Sequence, residues 1–167
     1  FDRAILVMTA CVTDTVFPSP DTKELTVIVP VYNNGRFLIH KCFQSLRRSS
    51  VFPKAEILLV DDGSTDKETL HALNVLEQVY ENVSVFRFPP GGSGSASRPR
   101  NKGLELARTK FVTYLDPDNE QVGDAYVQLL ELMRSEPLSY ALGNMVKFKG
   151  TRSVINNSWH LKKSLKS

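Results

Sequence analysis

The run Phe111-Val112-Thr113-Tyr114-Leu115 stops at Asp116-Pro117-Asp118. A short apolar run of this kind reads as a buried strand. A strand that ends in two acids one residue apart delivers both to the carboxyl edge of its sheet. In open α/β sheets, ligands bind outside that edge. Two hard oxygen donors placed there can hold a divalent cation, because Mg²⁺-type ions take one or two carboxylates and complete their shell with substrate phosphates. The pattern points to a metal-bridged nucleotide diphosphate. Asp-x-Asp alone is a weak signal, since ordinary turns contain it; its weight comes from what precedes it.

Three earlier strands are legible. Leu25-Thr26-Val27-Ile28-Val29-Pro30-Val31 is β-branched and nearly free of polar residues. Glu56-Ile57-Leu58-Leu59-Val60 ends in Asp61-Asp62-Gly63-Ser64, and Val83 to Phe88 is the third. Helices are expected between them. Asn33-Asn34-Gly35 makes a turn and can cap a helix whose apolar stripe is Leu38, Cys42 and Leu46, with Ile39 and Phe43 beside it. Asp66 caps a second helix, with Leu70, Leu73, Leu76 and Val79 facing the core. A Pro/Gly/Ser loop covers 89–97, and a short helix from Asn101 to Arg108 turns Leu104 and Ala107 inward. After the strand at 111–115 come a helix over about 122–135 and a strand near 139–148. Alternating strands and helices predict an α/β fold with a mostly parallel, doubly wound sheet. Residues 1–24, broken by Phe17-Pro18-Ser19-Pro20, read as an N-terminal extension, and 151–167 as a tail.

The bulk numbers agree with one globular domain of 167 residues, 41% hydrophobic and 23% charged. A net charge of +3 gives no argument for nucleic acid, and the basic residues Lys147, Lys149, Arg152, Lys162, Lys163 and Lys166 read as a solvated tail. Cys11 and Cys42 suggest neither a disulfide framework nor a zinc site, so a reducing, cytoplasmic compartment is expected. The apolar run Ala4 to Val12 falls far short of the ~20 residues a membrane helix needs. The chain begins at Phe1, so excision from a longer protein is expected. The sequons at Asn82 and Asn156 are read as chance, His40, His71 and His160 as ordinary surface or packed histidines, and Trp159 as an anchor for the tail or part of a missing half.

Three strand ends thus share one edge. Tyr32 can stack on a base. Asp62 can accept from a base N–H or a ribose hydroxyl. Asp116 and Asp118 can serve ribose and metal. Arg100, at a helix start, can attract phosphate together with the helix N-terminus. Each has an ordinary explanation singly: Tyr32 covers the core edge, Asp62 makes a turn, Arg100 is a solvated charge. Their convergence at one sheet edge favours a nucleotide site.

The segments Thr26 to Asn33, Leu58 to Asp66, Arg100-Asn101-Lys102-Gly103-Leu104 and Tyr114 to Asp118 together resemble the family 2 glycosyltransferases, in family order and over residues 25 to about 148. The resemblance implies a GT-A fold and inverting transfer of a sugar from a nucleotide-diphosphate sugar, commonly a UDP-sugar. It puts Pro30, Tyr32 and Asp62 around the base and Arg100 near the diphosphate. It puts Asp116 at the ribose or metal, and Asp118 on a Mn²⁺ or Mg²⁺ ion. Expected acceptors are saccharides, lipid-linked molecules or polymers, as in bacterial cell-surface polysaccharide or teichoic acid synthesis. The expected location is the cytoplasm, at the inner face of the membrane, with any membrane-surface association made through missing regions.

The chain departs from that pattern. Pro117 stands between the acids in place of a small or polar residue, and Asn119 where many members have another Asp. The catalytic base is not identifiable: Glu120, Asp124, Glu131 and Glu136 sit in no base motif, and the base is expected beyond residue 167. The alternative is a non-catalytic nucleotide-sugar-binding domain or an inactive fragment of a larger enzyme. Gly91-Gly92-Ser93-Gly94-Ser95 follows the third strand rather than the first, so it reads as a flexible loop beside the donor site, not a dinucleotide fingerprint. Tyr32-Asn33-Asn34-Gly35 argues against a nucleotidyltransferase, which would carry a basic Gly-rich loop there.

Overall fold

The computed structural model describes residues 7–10, 23–136, 138, 140–143, 145–149 and 151–155. Strands β1 (Val7–Ala10), β2 (Leu25–Val31), β3 (Ala55–Asp61), β4 (Val83–Arg87), β5 (Phe111–Tyr114) and β6 (Tyr140–Leu142) form one sheet in the order β4-β3-β2-β5-β1-β6. The run β4-β3-β2-β5 is parallel, and β1 pairs antiparallel with β5 and β6. Strands β7 (Met145–Lys149) and β8 (Thr151–Ile155) make a separate antiparallel pair. The segment read as an extension therefore contributes a sheet strand, and the tail contributes β8. Cys11, the sequon at Asn156, Trp159, His160 and the lysines from 162 onward lie outside the described residues.

All seven residues of β2 are buried, which explains why they are apolar but for Thr26. Side chains alternate across the sheet. Val27, Val29, Ile57 and Leu59 pack on one face with Leu38, Cys42, Leu46, Leu73, Leu76, Tyr126 and Leu130. Ile28, Leu58, Val60 and Val112 pack on the other with Ala107. Each fully buried Leu or Ile contributes about 1.5–3 kcal/mol.

Helix α1 runs through Gly35–Phe37, a π-helical stretch Leu38–Phe43, and Gln44–Arg47. Helix α2 is Lys67–Val79, α3 is Ser97–Leu106 and α4 is Ala125–Ser135. Asp66 caps α2, accepting from Glu68 N at 3.2 Å and Thr69 N at 2.9 Å. Leu73 and Leu76 face the core as expected, but Val79, the last residue of the helix, is 62% exposed.

Helix α3 begins four residues before the expected Asn101. Pro99 does not break it, since proline is tolerated in a first turn whose N–H groups lack intrahelical partners anyway. Gly103 is the residue that seats this helix: a Cβ there would lie 2.4 Å from Ile28 Cγ2. With Gly103 against the sheet, Leu104 is rotated about 100° away and is 39% exposed, so it does not point inward. Helix α4 starts at Ala125, later than expected, with Asp124 at its N-cap position. Among the described residues, no helix is long and apolar enough to cross a membrane. Cys42 is a buried free thiol. The sequon residue Asn82 is used internally, its Nδ2 donating to the carbonyls of Phe52 at 2.6 Å and Ala55 at 3.1 Å.

Candidate donor-binding site

The carboxyl ends of β2, β3 and β5 lie side by side. Val31 is paired with Asp61 and Ile28 with Tyr114, so β2 and β3 project beyond β5. Pro30 accounts for that step. Leu115 N donates to Ile28 O at 3.0 Å, so Ile28 faces β5. Residues two apart in a strand face the same way, so Pro30 faces β5 too. Having no N–H, it cannot extend this ladder past Leu115. The chain then leaves the sheet into Asp116-Pro117-Asp118. Pro30 is itself buried in β2.

Tyr32 follows β2 and is 42% exposed. Asn33 adopts φ 48, in the left-handed region that Asn tolerates. Its side-chain oxygen accepts from Thr65 N at 2.8 Å and Asp66 N at 3.0 Å, and its own N–H donates to Ser64 Oγ at 2.9 Å. The turn after β2 is thereby tied to the turn after β3. Asn34 occupies the N-cap position of α1 but makes no cap bond; its side chain accepts from Tyr32 N at 3.3 Å.

Asp62 is buried, its side chain only 5% exposed. Ser93 N and Ser93 Oγ both lie 2.7 Å from Oδ2, and Arg98 Nε donates to Oδ1 at 2.6 Å. Burial by itself would raise this carboxyl. The Ser93 hydroxyl and amide and the Arg98 guanidinium outweigh it and hold the group below the usual carboxylate value. The Gly-rich loop also touches Tyr32. A Cβ on Gly92, which has φ +68, would meet Tyr32 Cε2 at 2.6 Å. Ser93 and Arg98 were not singled out in the sequence; the usable signal was that a loop leaving β4 must pass the end of the adjacent parallel strand β3.

On the other side, Arg100 in the first turn of α3 donates from Nη2 to Asp116 Oδ1 at 2.6 Å. Arg100 Nε is buried with no hydrogen-bond partner. Asp116 is partly buried, Pro117 buried and Asp118 exposed. Burial pushes the Cys42 thiol up, and the charges of Asp116 and Asp118 push it further. The segment that follows is pinned to the end of α1. Gln121 N donates to Ser45 Oγ at 2.9 Å, and Asp124 Oδ1 accepts from Ser49 Oγ at 2.7 Å and Ser50 N at 2.8 Å. The Ser49 hydroxyl, then the Ser50 amide, hold Asp124 below its usual value against the effect of burial. Glu120 pairs with Arg48 at 3.5 Å on the surface.

Among the described residues, no cluster of three or more His, Cys, Asp or Glu is built to enclose a metal. Asp116 and Asp118 offer two hard oxygen donors, and a cation shared with a diphosphate needs no more than one or two carboxylates. The donor set fits a hard divalent ion that arrives with its ligand. The structure thus brings Tyr32, Asp62, Arg100, Asp116 and Asp118 to one edge, with Pro30 in the strand behind them.

Comparison with known proteins points the same way. The model of the family described as Glycosyl transferase family 2 matches residues 26–166. The chain is 31% identical over 123 residues to the uncharacterized glycosyltransferase YibD of Escherichia coli, covering 74% of this chain and 34% of YibD. It is 30% identical over 129 residues to the poly(ribitol-phosphate) beta-glucosyltransferase of Bacillus spizizenii, covering 76% of this chain and 20% of that protein. Structures of S. aureus TarS 1-349 superpose on it with TM-score 0.58 in complex with UDP (30% identity, 67% of this chain and 32% of that one) and 0.57 in complex with UDP-GlcNAc (28% identity, 67% and 31%). The chain spans about a third or less of the length of these relatives.

Proposed function

Because the chain belongs to the family 2 glycosyltransferases, we propose that it is the donor-binding part of an enzyme that moves a sugar from a UDP-sugar to an acceptor hydroxyl, with inversion at the anomeric carbon. Residues 25–150, with β1 added to their sheet, form the nucleotide-sugar-binding domain, and 151–167 lead toward the acceptor-binding region. The observation that carries this reading is the meeting of Tyr32, Asp62, the Arg100–Asp116 ion pair and Asp118 at the carboxyl edge of four parallel strands. The TarS structures with UDP and UDP-GlcNAc support uridine as the nucleoside. The poly(ribitol-phosphate) beta-glucosyltransferase supports a cell-surface polymer such as teichoic acid as acceptor. Such an acceptor places the reaction at the inner face of the membrane, reached through regions outside this chain.

In this reading Tyr32 offers an aromatic face to the base. Asp62 accepts from the base, and Pro30 backs the pocket from within β2. Asp116 accepts from a ribose hydroxyl while its other neighbour, Arg100, turns toward the diphosphate. The Arg100 side chain is 38% exposed, and the accessible part of its guanidinium is a donor suited to a phosphate oxygen. A Mn²⁺ or Mg²⁺ ion held by Asp118 and Asp116 would supply positive charge against the leaving diphosphate. The base that deprotonates the acceptor lies in the acceptor-binding part, beyond residue 167. Glu120 and Asp124 are committed to Arg48 and to Ser49 and Ser50.

The test is transfer of labelled sugar from UDP-glucose and UDP-GlcNAc to a ribitol-phosphate polymer, by the longer protein and by this chain. Transfer by the longer protein that is lost on Asp118→Ala supports the reading. Nucleotide binding without transfer in the longer protein would favour a non-catalytic binding module.

A further inference from the structure

Most of the acceptor capacity of the Asp62 carboxylate is already taken. An ionised carboxylate accepts about four hydrogen bonds. Ser93 N, Ser93 Oγ and Arg98 Nε are all within 2.7 Å of its oxygens. Room remains for about one more donor. Arg98 grips Asp62 twice, since its Nη2 also donates to the Asp62 carbonyl at 3.1 Å. The guanidinium is itself fixed, with its carbon 4.3 Å from the centroid of the Phe88 ring. The loop that supplies Ser93 also backs the Tyr32 ring at Gly92. The base-side groups of β2 and β3 are therefore held by one loop and by the first turn of α3.

Resting on the donor-site reading above, we infer that Arg98 is a positioning residue for base selection, which with Ser93 aims the one open acceptor position of Asp62 at the edge of the base. Neither Arg98 nor Ser93 need touch the nucleotide. A carboxylate held this way can only accept. Uracil presents a ring N–H at its pairing edge, and cytosine presents a bare ring nitrogen there. A fixed acceptor takes the first and meets the second lone pair to lone pair, and misdirected buried polar groups are what reject a close analogue. Without Arg98 the carboxylate is free to rotate and to admit water, and discrimination falls even where some affinity survives.

The experiment is calorimetric titration of UDP and of CDP, with Mn²⁺ present, into the wild-type chain and its Arg98→Met, Arg98→Lys and Ser93→Ala variants, with thermal unfolding of each. The wild type is expected to prefer UDP. Arg98→Met should cut the UDP/CDP affinity ratio by about tenfold or more, mainly through weaker UDP binding, as loss of charge-assisted hydrogen bonding to a buried group does. Arg98→Lys should give an intermediate ratio, because an ammonium restores the charge but not the two-pronged grip. Ser93→Ala should lower the ratio less, since the backbone N–H remains. A purely structural role would weaken both nucleotides alike. An unchanged ratio in Arg98→Met and Arg98→Lys overturns the inference and leaves the donor site standing, as does equal binding of UDP and CDP by the wild type. Binding of neither nucleotide by the wild type overturns the donor-site reading and the inference with it.

Discussion

The two halves of the sheet edge are finished differently. At the ends of β2 and β3 the polar groups are already satisfied by the protein. Asn33 bridges to Ser64, Thr65 and Asp66, and Asp62 is held by Ser93 and Arg98. At the end of β5, Asp118 is exposed, Arg100 keeps a buried Nε without a partner, and Asp116 is joined to it by one ion pair. One half is preorganised and the other is open. A neutral base brings no charge and must be met by a fixed pattern of donors and acceptors. In the proposed reading, a diphosphate with its cation brings the charges that complete this half, and leaving it open avoids the cost of building buried charge in advance.

The largest expected effect lies in the open half. Asp118→Ala should abolish the metal dependence of nucleotide binding while leaving the unfolding temperature unchanged, because the residue is exposed. Titration of UDP with and without Mn²⁺ and a melting curve check both. Metal dependence that survives in this variant would remove Asp118 from the cation site.

Asp62→Asn tests the preorganised half. It should weaken nucleotide binding with or without metal by about 1.5–3 kcal/mol, the range for hydrogen bonds to charged groups. It also bears on acid stability. A carboxyl whose folded pKa is depressed contributes stability that is complete above its unfolded value of about 4 and is lost as pH falls through its lower folded value. The variant should therefore lose less stability than the wild type over that acid range, although Asp66 and Asp124, also held low, keep some of the slope. Melting temperatures between neutral pH and pH 3 would show it.

Gly92→Ala asks whether the loop and Tyr32 act together. Its Cβ would meet the ring, and its backbone sits at positive φ. Nucleotide binding should weaken by about 1–2 kcal/mol, from strain at such a position, with little change in metal dependence. Equal loss of metal dependence would mean that the halves are not separable. The smallest effect is expected for Glu120→Gln, where a surface ion pair with Arg48 is worth about 0–1 kcal/mol. Unchanged binding and stability there would show that proximity to the acidic motif is not enough.

The open half was the more legible in sequence, and for a physical reason. Asp116-Pro117-Asp118 and Arg100 carry their chemistry at short spacing, and the strands beside them are continuous apolar runs. The strands that bear the site, β2, β3 and β5, fell within a residue of their expected limits for that reason. The latch on Asp62 joins residues 31 and 36 positions apart through a loop without periodicity, so no local pattern announces it. Arg98 was further hidden because the helix was expected to begin only at Asn101, whereas Arg98 and Pro99 lie in the first turn of α3. The outward turn of Leu104 followed from the close seating of Gly103 on Ile28, which only the packed structure reveals.

The central claim is a donor site with a prebuilt base half and a phosphate half completed by its ligand. Calorimetric titration of UDP into this chain, with Mn²⁺ and with the metal chelated, tests it most directly. The expected result is weak binding without metal, carried by the base half, and markedly tighter binding with Mn²⁺. Binding of equal strength in both conditions, or none in either, would contradict it.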